Sequence, residues 1–340
     1  MEAITIRDVA KHANVSISTV SRAINNPDAV TTEKRVRVEN AIRELGYIPN
    51  AAARELVVGS TRQIGVLVSD IRNVYITTLV TSFVQRMEDF GYSVSINITG
   101  SDREREKRFI EQMLQKRVEA VVMYGRRKMD SKYYKWMAKR LGNIPLIKVG
   151  PGCDNYYYRI YTDEEQGAFL ATEYLIHMGH RRIGFINGEL QYDSYYYKQI
   201  GYQKAMSQYD VLVHPGYVCN IAGDGSLNTD ADGAVRQILS MPERPTALLL
   251  AGDQYAWNVY KVAQEFGLQI PKDLSVIGYS NSSFSVSMCP ALTTIDQLPV
   301  EMGEKVAEHL MSILDRSAKT REWVYEVKLI HRSSVQGLEE

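Results

Sequence analysis

The chain has 340 residues, with 40 basic side chains against 40 acidic and a formal net charge of zero. That balance excludes an overall field pulling it to nucleic acid or an anionic membrane, and the length has room for more than one domain. Three scattered cysteines (Cys153, Cys219, Cys289) lack metal-ligand spacing, no apolar signal core opens the chain, and the apolar runs are too short to span a bilayer, so a soluble cytoplasmic protein is expected.

Residues 5–24 predict two short helices joined by a tight turn. Thr5 can cap the first, and Asp8 three residues later completes a capping box. Asn14 falls where the turn needs a left-handed residue, which Asn tolerates. Ser16 then caps a second helix with Val20 and Ile24 inside and Ile17, Ser18 and Arg22 outside. Ser18 and Arg22 are four apart and share a face. An Arg can pair bidentately with guanine, a Ser either donates or accepts, and Ile17 can touch a thymine methyl. Thr19 and Ser21 suit phosphates at the groove edge. A plain helical hairpin with a polar outer face would look much the same at this level.

A third helix is expected with Thr31 or Thr32 as cap, Val38, Ala41, Ile42 and Leu45 inside, and Gly46 at its end. Pro49-Asn50 and the alanines after them predict about two further helical turns, stopped at Gly59, too short to be stable alone in water. Basic residues in this region are nearly matched by acids, which counts mildly against DNA binding.

The residues up to Leu56 resemble the DNA-binding headpiece of the LacI/GalR family of bacterial transcription regulators. The likeness rests on Asp8-Val9-Ala10, Val15-Ser16, Thr19-Val20-Ser21-Arg22, Leu45-Gly46-Tyr47 and Pro49-Asn50-Ala51-Ala52-Ala53-Arg54; Asn14 stands where the family usually has Gly. The resemblance implies a helix-turn-helix headpiece over 1–48, a hinge helix and linker over 49–60, and a two-lobed effector-binding and dimerisation core over 61–340. The implied DNA-binding residues are Thr5, Ile6, Ser16, Ile17, Ser18, Thr19, Ser21, Arg22, Asn25, Tyr47, Asn50, Ala53 and Leu56. Leu56 would wedge between base pairs at the centre of a pseudo-palindromic operator, on a helix that folds only beside its dimer mate.

Beyond residue 60, short apolar runs alternate with amphipathic helices. Strands are expected at 64–68, 93–97, 120–123 and 145–149, with helices at 76–90, 103–116 and 132–141. After a non-helical passage at 160–163, helices are expected at 168–178, 199–208, 232–241 and 256–266, with strands at 183–186, 217–221, 247–250 and 275–278. The segment 291–295 is expected to cross back to the first lobe, before a helix at 300–314 and a final strand at 323–330. This alternation means an α/β fold with parallel sheets and right-handed crossovers. It fits the periplasmic-binding-protein-like core that the resemblance implies, with one lobe near 61–160 and 293–321 and the other near 161–292 and 322–340. The strings around Gly179-His180-Arg181 and Ile270-Pro271-Lys272 are also similar to the family's. His180 and Arg181 follow a helix end, where a positive side chain suits the carbonyl terminus, and are read as structural.

Ligands in open α/β lobes bind beyond the carboxyl ends of the strands. That rule nominates Ser69, Arg72, Tyr75, Tyr124, Arg126, Lys148, Tyr195, Tyr197, Lys198, Asp253, Ser280 and Gln297 for an effector. Tyrosines offer flat faces to a sugar ring, but with 22 Tyr in the chain any single one is more often packing. Sugar-responsive relatives often carry a carboxylate at the place of Lys148, an Asp at Ser280 and an Arg at Lys198. The exchange of acids for Lys148 and Ser280, beside Arg72 and Arg126, predicts a positive cleft and an anionic or phosphorylated, carbohydrate-related effector.

A homodimer is expected, and Leu79, Phe83, Val84 and Met87 fit equally a part of its face or the core of the single chain; the tail has no heptad repeat to make a tetramer. An enzyme is disfavoured: the six histidines are dispersed, and neither a Gly-x-Ser-x-Gly elbow nor a phosphate-cradling loop is present. No cofactor or metal is expected. The remaining alternatives are control by a phosphocarrier protein partner within the same family, or a solute-binding protein or enzyme on the same two-lobed fold. The expected function is repression of transcription, with operator affinity set by a small molecule bound between the lobes.

Overall fold

The computed structural model describes residues 4–25, 27–47, 60–100, 102–124, 131–152, 155–222 and 231–338. The chain divides into two compact units, residues 1–61 and 62–340.

In the first unit, α1 (Ile6–Ala13), α2 (Ile17–Asn25) and α3 (Thr32–Leu45) surround a small core of Val9, Ala10, Ala13, Val20, Val38 and Ala41. The local chemistry follows the sequence. The Asp8 carboxylate accepts from the Thr5 backbone N–H at 2.8 Å and from its hydroxyl at 2.7 Å. Asn14 adopts φ 52°, ψ 51°, and Gly46 ends α3 at φ 60°. The Arg37 guanidinium donates to the carbonyls of Ala13 and Asn14, satisfying the open end of α1 from a distant helix.

The second unit begins with β1 (Gln63–Val68), α4 (Val74–Asp89), β2 (Ser93–Ile98), α5 (Arg103–Gln115), β3 (Ala120–Tyr124), α6 (Ser131–Leu141), β4 (Leu146–Val149) and β5 (Tyr158–Thr162). The next series is α7 (Glu164–His177), β6 (Ile183–Gly188), α8 (Asp193–Gln208), β7 (Val218–Ile221), α9 (Ala231–Leu239), β8 (Ala247–Leu250), α10 (Tyr255–Glu265), β9 (Ser275–Tyr279), α11 (Ser283–Ser287) and β10 (Thr293–Asp296). Finally come α12 (Pro299–Leu314), β11 (Glu322–Tyr325) and β12 (Lys328–Ile330). Two six-stranded sheets result, in the orders β11-β5-β4-β3-β1-β2 and β12-β10-β9-β8-β6-β7. Every pairing is parallel except β12 on β10.

The lobe boundaries differ from expectation in three places. Residues 158–162 form a strand, hidden in the sequence because Arg and Thr interrupt its apolar positions. Residues 293–296 do not return to the first lobe; they pair with β9 of the second, and the crossing follows them. The single strand expected at 323–330 is two strands, one against β5 in the first sheet and one against β10 in the second. A strand pattern states that a segment pairs, but the partner is chosen by contacts far away in the chain.

Of the two readings of the apolar residues on α4, the core rather than the dimer face holds for three of the four. Leu79, Phe83 and Met87 are wholly buried within this one chain, and Val84 is partly buried. Helix α12 covers them at Gly303, where an added Cβ would lie 2.4 Å from the Leu79 carbonyl oxygen. A second close approach occurs at Gly201 of α8, where a Cβ would lie 2.0 Å from the carbonyl of Glu165 in α7.

His180 and Arg181 have the structural roles read for them. The buried His180 ring bonds Thr246 and the Gln336 carbonyl, and Arg181 donates to the Ile176 carbonyl at the end of α7.

Candidate DNA-binding face and interlobe effector cleft

The second headpiece helix presents a reading face with few constraints. Ser16 accepts the Thr19 backbone N–H at 3.1 Å and fixes the start of α2. Val20 is wholly buried, whereas Ile17, Ser18 and Arg22 are exposed on the opposite side. The Arg22 Nε donates to the Ser18 carbonyl at 3.2 Å, which aligns its guanidinium along the helix. Thr19 and Ser21 are partly buried at the flank. Thr5 is engaged in its capping box, and Ile6 and Tyr47 pack against the headpiece core. Asn25 closes α2. Asn50, Ala53 and Leu56 lie outside the described residues.

Within the core, a cleft of about 960 Å³, open mouth included, lies between the two lobes. Of the nominated residues, Ser69, Tyr75, Lys148, Tyr195, Lys198, Ser280 and Gln297 line it. Ser280 holds φ 109°, a strained value for a residue with a Cβ, and its hydroxyl donates to Gln297 Oε1 at 3.3 Å. Strain of this kind is often stored where a fold places a side chain for function.

Other nominations move away from the cleft. Tyr124 is buried against Phe83, with ring centroids 6.0 Å apart. Tyr197 projects off the cleft side of α8 and packs edge-on against Tyr196. Asp253 is wholly buried and turned toward its own lobe, accepting from the Thr294 hydroxyl at 2.6 Å and the Ser282 N–H at 2.7 Å. Arg72 sits at the rim, its guanidinium gripping Asp70 with Nε at 2.9 and 3.0 Å from the two carboxylate oxygens. Arg126 lies outside the described residues. The rule about strand ends locates backbone positions, and side-chain direction is decided by local packing.

The cleft also contains acids that the list of candidates omitted. Lys148 is 3% exposed and forms an ion pair with Asp193, at the first position of α8. Glu164, the first residue of α7, accepts from the Ser194 hydroxyl at 2.8 Å and from Gln297 Nε2 at 3.2 Å. Burial pushes the Glu164 carboxyl above the usual carboxylate range, with Lys198 opposing the shift. Burial likewise holds the Lys198 ammonium below the ordinary lysine value, with Glu164 opposing. The Tyr75 phenol is raised, first by burial and then by Glu164. The one sequence signal for Glu164 was its place directly after Asp163, which caps α7 through the Gln166 N–H.

No helix among the described residues is long and apolar enough to cross a membrane, and none of their His, Cys, Asp and Glu side chains cluster to hold a metal.

Comparison with known proteins identifies two matching stretches of the chain. Residues 5–50 match the family described as bacterial regulatory proteins, lacI family, and residues 172–335 match a periplasmic binding protein-like domain. The HTH-type transcriptional repressor PurR of Klebsiella pneumoniae (strain 342) is 33% identical over 334 residues, covering 97% of this chain and 96% of that protein. Its counterpart in Escherichia coli O139:H28 (strain E24377A / ETEC) is 34% identical over 340 residues at the same coverage. The crystal structure of the lac repressor dimer bound to operator and the anti-inducer ONPF superposes with a TM-score of 0.88 at 27% identity, covering 98% of this chain and all of that one. The chain therefore belongs to the LacI family and is a DNA-binding transcriptional repressor, not an enzyme.

Proposed function

We propose that this repressor acts in the cytoplasm as a homodimer on a pseudo-palindromic operator, and that a neutral, hydroxyl-rich molecule of the carbohydrate class sets its affinity. Ile17, Ser18 and Arg22 read bases, while Thr19 and Ser21 hold phosphates. Ala53 and Leu56, outside the described residues, contact the minor groove at the operator centre. Effector binding between the lobes changes operator affinity. By linkage, an effector that weakens operator binding is itself bound more weakly by the operator complex.

One observation supports a neutral effector over the anionic one expected from the exchanged cleft residues. Of the cations that suggested a positive cleft, the three within the described residues have acids beside them: Lys148 has Asp193, Arg72 has Asp70, and Lys198 feels Glu164. With charge balanced among the described residues of the site, an added phosphate or carboxylate would lack a free counter-charge among them. Tyr75, Tyr192 and Tyr195 supply flat faces around the same space.

The test is selection of operators from a random duplex library with the purified dimer, followed by anisotropy titration with neutral sugars and sugar phosphates. A palindrome whose binding responds to a neutral sugar is the expected result. Response to sugar phosphates alone would defeat the neutral reading. Response only to an added phosphocarrier protein would transfer control to a protein partner.

A further inference from the structure

We infer that Glu164 is the acceptor that selects a hydroxyl group of the effector, across a gap bridged from the other side by Lys198. The inference rests on the carbohydrate reading of the cleft. Glu164 follows the crossover out of β5, is 8% exposed, and lines the space between the lobes. Both of its protein donors, Ser194 and Gln297, go to Oε1. Its Oε2 is buried without a hydrogen-bond partner.

An orphaned buried acceptor carries an uncompensated desolvation penalty, larger when the group is charged. Folds rarely keep one without a reason, and a ligand that completes the bond is such a reason. The Lys198 ammonium lines the same cleft, with three donors and a hydrogen bond to the Ala251 carbonyl at 3.0 Å. It also rests on the Tyr279 ring, 4.1 Å from the centroid. Lys198 and Glu164 feel each other electrostatically without closing into an ion pair.

A hydroxyl satisfies both sides at once, donating to Oε2 and accepting from Nζ. Other ligand chemistries meet a repulsion. An ammonium group would face Lys198, and a phosphate or carboxylate would face Glu164 and nearby Asp193. Gln297, tied to Thr162 at 3.1 Å, fixes the orientation of the Glu164 carboxylate.

The experiment uses the full chain with Glu164→Gln and Glu164→Asp. Thermal denaturation without ligand is combined with calorimetric titration of ribose, cellobiose and lactose, and glucose 6-phosphate as the charged control. Glu164→Gln should leave the ligand-free Tm unchanged or raise it, because a buried carboxyl with an unmet oxygen is removed. It should weaken binding of the responsive sugar by roughly tenfold or more, as for loss of a charge-assisted bond. Glu164→Asp should retain part of the affinity. A lowered Tm with unchanged affinity would make Glu164 structural and overturn the inference while leaving the carbohydrate reading standing. Absence of sugar binding by the unaltered chain would overturn both.

Discussion

Lys148, in β4 of the first lobe, and Asp193, in the first turn of α8 in the second, form an ion pair that joins the lobes at the effector cleft. Their side chains are only 4% and 9% exposed. Removing one member of such a buried pair strands the other charge, whereas removing both can be nearly neutral. Lys148→Met should therefore destabilise the chain by about 3–5 kcal/mol. Adding Asp193→Leu should recover most of that loss. Urea denaturation of the two single variants and the double variant measures the coupling, and additive effects would show the pair to be marginal.

Asp253 predicts a pH dependence. Burial pushes its carboxyl up to about 6 from 3.8, against hydrogen bonds from Thr294 and Ser282. Because the folded value lies above the unfolded one, the native state takes up the proton first. Stability from this group is fullest below about pH 4 and falls as pH rises through about 6, by up to about 3 kcal/mol. Asp253→Asn does not titrate and should flatten that window. Denaturation at several pH values between 4 and 7 compares the two slopes, and parallel slopes would place the titration elsewhere.

On the headpiece, Arg22→Ala should cost about 1–3 kcal/mol at a guanine position and relax preference there. Thr19→Ala and Ser21→Ala should weaken binding to all sequences alike, since phosphate contacts carry no base information. Mobility-shift titrations against the selected operator and its single-base variants distinguish these patterns. A uniform loss with Arg22→Ala would move base reading to another residue.

Trp257 is 63% exposed on α10 and lines a shallow groove with Met288, Cys289 and Pro290. With Leu79, Phe83 and Met87 committed to the core, this apolar surface is the better candidate for the dimer face. Trp257→Glu should raise the dimer dissociation constant at least tenfold, read by sedimentation. Operator binding should fall with it and return at higher protein concentration. An unchanged dimer would exclude this surface.

Local chemistry made much of this fold legible in the sequence. The Thr5 and Asp8 box, the left-handed Asn14, the Ser16 cap and the stop at Gly46 each depend on a few neighbouring residues. The strand-helix alternation was readable for the same reason, because a buried face repeats with the period of its own element. Helix α8 was expected six residues too late, since Tyr-rich residues 193–198 carry little apolar periodicity.

Lys148, Lys198, Ser280 and Gln297 line the cleft that the strand-end rule points to, whereas the excess of positive charge expected from the exchanged acids is offset among the described residues. The compensating carboxylates enter from other elements: Asp193 lies 45 residues from Lys148, and Glu164 follows a strand hidden in the sequence.

What the sequence determined by itself is a three-helix reader of DNA followed by two parallel-sheet lobes, because caps, turns and periodicity act within one or two turns of chain. What only the tertiary structure decided is which strand closes which sheet, which face of α4 is covered, and which charges in the cleft meet a partner. Those outcomes depend on contacts between residues far apart in the chain, whose energies no local pattern encodes.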